Sequence, residues 1–110
     1  MTTATVGTRA ERGAVRIGLS GEIDLANAAA VEEEILAAVS NQPTAVSVDL
    51  TDLTFMDSAG IRILFDLASR LQESHLVLEI IAPLESPTRR LIELSGFEPL
   101  AMLTPQATSG

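Results

Sequence analysis

The hydrophobic rhythm of this chain switches repeatedly between a period of two and a period near 3.6, the repeats of a strand and of a helix. In AVRIGLSGEID, residues 14–24, Val15, Ile17 and Leu19 alternate with Arg16, Gly18 and Ser20. That pattern predicts a half-buried strand ending near Gly21. A weaker strand over residues 4–9 would pair with it as a hairpin across Glu11, Arg12 and Gly13. From Asn27 to Ser40 the apolar positions Ala28, Val31, Ile35 and Ala38 recur at helical spacing, with Glu32, Glu33 and Glu34 alongside. An amphipathic helix is expected there. Its triple glutamate lies partly in the first turns, where the helix dipole favours acid, and reads as a solvated face rather than a metal site.

AVSVDL, residues 45–50, alternates again and predicts a second clear strand, followed by a loop TDLTFMD at 51–57. Ser58 to about Gln72 then returns to helical spacing, with Ile61, Leu64, Ala68 and Leu71 on one side and Arg62, Asp66, Ser69 and Glu73 on the other. LVLEII at 76–81 supplies the next strand. In SPTRRLIELSG, Ser86 stands as N-cap, Pro87 as first helical residue and Gly96 as C-terminal stop. PLAML at 99–103 adds a short last strand. Strands and helices in alternation argue for an α/β fold with a mixed, mostly parallel β-sheet and crossover helices. About ten residues at the start and PQATSG at the end read as loose, and a chain of 110 residues as a single domain with its core over about 13–103.

Composition narrows the function. At 46 % apolar residues the chain is globular, and with only Phe55, Phe65 and Phe97 as aromatic contributors the core has to be aliphatic. There is no cysteine and one histidine, so neither a disulfide framework nor a zinc cluster is expected. The first residues lack a signal-peptide pattern. The most apolar run, LVLEIIAPL at 76–84, is too short to span a bilayer and contains Glu79. Both point to the cytoplasm and away from a membrane.

Seven arginines and no lysine stand against fifteen carboxylates, for a net charge of −8. A P-loop needs its lysine and a nucleic-acid binder needs a basic face, so neither is expected. Such a surface suits protein partners with basic patches, or serves solubility alone.

The candidate chemistry sits in FMDSAGIRIL, residues 55–64, where a hydroxyl lies beside a carboxylate at the head of a helix. Either Asp57 or Ser58 can act as N-cap, worth about 1 kcal/mol. A serine there is also exposed at a strand-to-helix turn, with backbone amides able to receive a phosphate on its oxygen. A nucleophilic role is disfavoured. His75, the only possible imidazole base, would lie on the order of 20 Å away along the helix, and the serine has no G-x-S-x-G elbow. Asp49, placed like the phosphoacceptor of a response-regulator receiver domain, lacks the lysine that chemistry requires.

LSGEIDLANA at 19–28, VSVDLTDLTFMDSAGIRIL at 46–64 and SPTRRLIELSGF at 86–97 together resemble the STAS domain, in particular the stand-alone bacterial anti-sigma-factor antagonists. The resemblance implies a non-enzymatic switch without cofactor. Such a switch would bind an anti-sigma factor that is also a serine/threonine kinase of the histidine-kinase-like ATPase fold, and so free a sigma factor. The kinase would phosphorylate Ser58 and a metal-dependent serine phosphatase would reverse this. Asp24 and Asp57 match acidic positions near the acceptor, and Ala59 stands where many members carry a second hydroxyl. The partner surface is expected at the turn, including Ala59 and Gly60, and along the following helix at Arg62, Ile63, Asp66 and Leu67. Ile63 and Leu67 flank the apolar stripe and could equally extend the core. The same fold also serves as an adaptor in lipid-transport or stress-sensing complexes, where the serine need only cap; a small-ligand sensor lacks a glycine-rich cradle or a lysine.

Overall fold

The computed structural model describes residues 3–96 and 101–106. Five strands and three helices follow one another as β1 (Ala4–Glu11), β2 (Ala14–Ile23), α1 (Ala28–Ala38), β3 (Ala45–Met56), α2 (Ser58–Glu73), β4 (Leu78–Ile81), α3 (Pro87–Leu94) and β5 (Ala101–Thr104). The strands lie side by side in chain order, with β1 antiparallel to β2 and every later pairing parallel. This is the mixed α/β sheet that the alternating pattern predicts. Of the two readings of the first ten residues, the strand holds from Ala4 and the loose end does not. The hairpin turns on Arg12 and Gly13, both at positive φ (54° and 85°), as the twist of paired strands favours.

The buried residues of the alternating strands, Val15, Ile17 and Leu19 on β2 and Val46, Val48 and Leu50 on β3, meet Val31 and Ile35 of α1 and the apolar side of α2 in one core. That core is wholly aliphatic apart from Met56. Phe55 and Phe65, expected within it, are about half exposed instead, and Phe97 lies outside the described residues. The aliphatic side chains fill the interior without them. The triple glutamate also differs in position: α1 begins at Ala28 and has no acid in its first turn, so Glu32–Glu34 follow one turn later on its outer side.

The largest departure from the sequence pattern is β3. TDLTFM, expected as a loop, continues the strand to Met56. Its buried residues there, Leu50, Leu53 and Met56, come every third position rather than every second. The reason is irregular pairing with β2, whose register shifts between Gly18 and Ser20 and again between Gly21 and Glu22. Such bulges re-aim side chains and hide the strand's period. Gly21 permits the second shift: its φ is +90°, and a Cβ there would run into the carbonyl oxygen of Thr3. β2 therefore continues past Gly21 to Ile23. At the other end of the chain, β4 starts only at Leu78, with Val77 left exposed.

α3 is tied down by its own polar groups. Ser86 Oγ accepts from the Arg89 amide at 3.1 Å, as its N-cap reading requires. The buried Arg89 guanidinium donates to the Ala82 carbonyl at 2.8 Å and pairs with Glu93 at 3.2 Å, which satisfies a cation that burial alone would make costly. Nothing in the sequence pattern marked Arg89 as an interior residue. Replacing Ile35, which is fully buried, with alanine should lower unfolding stability by about 2 to 5 kcal/mol in urea titrations. Glu33→Ala on the exposed side of α1 should change it by less than about 0.5 kcal/mol.

Candidate functional site

β2 and β3 run parallel and finish together, with Ile23 opposite Met56. The Asp57 amide then donates to the Ile23 carbonyl at 3.2 Å, which joins the β3–α2 turn to the β2–α1 turn. The result is one continuous surface at the C-terminal edge of the sheet, where open α/β sheets commonly place functional groups.

On the first turn, Asp24 accepts from the Ala26 amide through Oδ1 at 2.9 Å, and its carbonyl accepts from the Ala28 amide at 2.9 Å. Asn27, the residue before α1, does not cap that helix with its side chain. Its Oδ1 accepts instead from the Asp24 amide at 3.0 Å, and its Nδ2 donates to the Glu22 carbonyl at 2.8 Å. Asp24 and Asn27 thus hold the turn in shape, and Leu25 at its tip is 84 % exposed.

On the second turn the cap is Asp57. Its backbone is extended (φ −99°, ψ −167°), and Oδ1 accepts from the Ala59 amide at 2.8 Å. The amides of Gly60 and Ile61 go to the Asp57 carbonyl at 3.0 and 3.3 Å. One aspartate thereby satisfies two of the donors that a helix start leaves over, the Ala59 and Gly60 amides, and accepts the first regular helical bond from Ile61. Ser58 is relieved of capping: its side chain is exposed and accepts or donates no hydrogen bond among the described residues. The amides expected to receive a phosphate at Ser58 are therefore largely engaged already, so a phosphate there would project into solvent beside the Asp57 carboxylate.

Gly60 is buried, not a surface element of the turn as expected. A Cβ would overlap the Met56 side chain, so the absence of one lets the first turn of α2 settle onto the end of β3. Ile63 and Leu67 are likewise core residues, 5 % and 1 % exposed, and cannot contribute to a docking patch. The buried side of α2 is simply wider than one stripe, comprising Gly60, Ile63, Leu64, Leu67, Ala68 and Leu71. Ile61, expected in the core, is only partly buried.

Along its N-terminal half α2 exposes Ser58, Arg62, Phe65 and Asp66, at helical spacing along one side. Phe55, at the end of β3, is 48 % exposed and Phe65 is 47 % exposed. With Leu25 on the β2–α1 turn, they are exposed apolar residues on the elements that flank the serine, and the sequence pattern did not mark them as part of the site. Their signal lay in the sequence all the same: large apolar residues out of phase with the buried pattern. His75 lies exposed beyond the far end of α2, with φ +62°. The Asp49 carboxylate is engaged within β3 by the amide and hydroxyl of Thr51, at 2.9 and 2.5 Å. No cluster of three or more metal-ligating side chains forms among the described residues.

A family model described as "Mlab, STAS domain" matches residues 6–104. The chain belongs to the STAS domain family. Among curated relatives of this STAS domain, the anti-sigma-F factor antagonist RsfB of Mycobacterium tuberculosis is 36 % identical over 94 residues, 86 % of this chain and 75 % of that protein. An anti-sigma factor antagonist from Mycobacterium paratuberculosis superposes with a TM-score of 0.81 at 31 % identity, over 94 % of this chain and 87 % of the other. SpoIIAA, an anti-sigma factor antagonist solved without its phosphate, gives 0.70 at 25 % identity over 96 % and 90 %. Solved in the phosphorylated form, the same Bacillus protein gives 0.67 at 26 % identity over 96 % and 93 %. This STAS domain therefore stands among the bacterial anti-sigma-factor antagonists. None of its helices among the described residues is long and apolar enough to cross a membrane.

The division of labour at the turn has a measurable consequence. Asp57→Ala should cost about 1 kcal/mol in thermal or urea unfolding through the lost cap. Ser58→Ala should leave stability within about 0.5 kcal/mol, because no bond of the fold depends on its hydroxyl.

Proposed function

We propose that this STAS domain is a phosphorylation-controlled antagonist, which in its unphosphorylated form docks on an anti-sigma factor through the surface around Ser58 and so releases a sigma factor. The observation that carries the reading is the exposed Ser58 hydroxyl, left without a capping task by Asp57. Its relatives are named as anti-sigma factor antagonists, and the existence of SpoIIAA in a phosphorylated form supports a phosphate as the signal. On this reading the partner is also the kinase, of the histidine-kinase-like ATPase fold, and a metal-dependent serine phosphatase resets the switch. The protein binds and is modified; it is not itself the enzyme.

The docking surface that best suits this role comprises Leu25, Phe55 and Phe65 as apolar anchors, with Arg62 and Asp66 at the rim and Asp24 and Asp57 shaping the two turns. Apolar and aromatic side chains at the centre of such a patch supply most of the binding energy, and charges at its edge supply selectivity. A phosphate on Ser58 would add about −1.5 to −2 charges beside Asp57. With the neighbouring amides engaged, that charge has to be desolvated by the partner alone. A penalty of about 3 kcal/mol weakens an interface roughly a hundredfold, without any change in the fold.

Ser58→Ala should bind the cognate anti-sigma factor constitutively, and Ser58→Asp should bind about a hundredfold more weakly in calorimetric titrations. Incubation with the kinase and ATP should place phosphate on Ser58 by mass spectrometry. Equal binding by the two variants, with no phosphate on Ser58, would leave an adaptor role in which the serine carries no signal.

A further inference from the structure

The sheet has a second chemical feature at its opposite end. On the face away from the aliphatic core, Arg9, Arg16, Ser47, Glu79 and Met102 are successive cross-strand partners over all five strands. With Arg12 at the hairpin tip and Val77 before β4, they line a concave cleft of about 740 Å³. The cleft lies at the N-terminal edge of the parallel strands, whereas Ser58 follows the C-terminal end of β3.

Arg9 and Arg16 stand directly opposite each other on the antiparallel ladder. Like charges in that relation oppose strand pairing. Three of the seven arginines thus gather around one cleft, against Glu11 and Glu79, which leaves it one positive charge in excess. The rest of the chain holds four arginines against thirteen carboxylates. That concentration of guanidinium groups in an otherwise acidic chain is complementary to acid.

Shape narrows the ligand further. Across the cleft from the arginines, Val77 is 65 % and Met102 is 51 % exposed. From β1 to β5 the cleft crosses four strand spacings, roughly 19 Å at about 4.8 Å each. One small anion cannot reach both sides, whereas about six residues of extended chain can. We propose that this cleft docks a short extended segment of a partner protein, its acidic residues on Arg9, Arg12 and Arg16 and its apolar residues on Val77 and Met102. Guanidinium groups pair bidentately with carboxylates, and the ammonium of a lysine would not provide that geometry.

A fluorescein-labelled hexapeptide of three glutamates followed by three leucines, titrated into the full chain at low ionic strength, tests this. The expected results are saturable anisotropy binding and at least about tenfold loss of affinity in high salt or in the Arg9→Glu/Arg16→Glu double variant. The amide shifts of the wild-type protein should move around Arg9, Arg16 and Met102. Circular dichroism checks the fold of the variant; if it does not fold, the salt dependence and the wild-type shift map decide. Absence of saturable binding, equal binding of a peptide with glutamine for glutamate, or shifts centred on the Ser58 turn would overturn the proposal. So would pyrophosphate binding with the same arginine dependence where the peptide does not bind, because the cleft would then be a small-anion site.

Discussion

The parallel ladder between β2 and β3 is the interaction on which the candidate site depends. It runs from Ala14 and Ala45 to Ile23 and Met56, takes up two register shifts, and still brings the ends of both strands level. Only because they end together can the Asp57 amide reach the Ile23 carbonyl, so that the Asp24 and Asp57 turns share one surface. Without the bulges at Gly18/Ser20 and Gly21/Glu22, the side chains beyond Leu50 would alternate regularly, and Leu53 and Met56 could not both be buried. Met56 in turn receives Gly60, which seats the start of α2.

A frame held together in this way suits the proposed switch, which changes charge rather than shape. Asp57 takes up the amides that a helix start leaves over, and Ser58 beside it is left with no structural duty. A modification of Ser58 therefore has little to disturb within the fold, and its whole effect falls on whatever approaches the surface. Leu25, Phe55 and Phe65, on the elements that flank it, are among the large apolar side chains that the aliphatic core did not take in. The arginine-lined cleft lies at the other edge of the sheet, separated from this surface by the length of β3.

Much of this was legible in advance where a segment has one buried face and a clean period. β2 up to Leu19, β3 up to Leu50, α2 and the Ser86 cap of α3 all follow local rules of alternation, helical spacing and capping chemistry. The reading of TDLTFM as a loop failed because bulged pairing gives a period of three, which resembles neither a strand nor a helix. Of the two readings of Ile63 and Leu67, the one that extends the core holds, because the width of a helix's buried side is set by what packs on it. Here α2 touches β3, β4 and α1 at once, and two residues per turn are covered.

Taken alone, the sequence determined the class of fold, the order of its elements, the aliphatic character of the core and the serine at the head of α2. These are properties of neighbours along the chain, and short-range sterics and hydrogen bonding decide them. The tertiary structure alone decided that Asp57 rather than Ser58 caps the helix, that Gly60 and Arg89 face inward, and that Arg9, Arg16 and Met102 line one cleft. Each of those depends on strand register and helix placement, which come from contacts between residues far apart in sequence that no local pattern encodes.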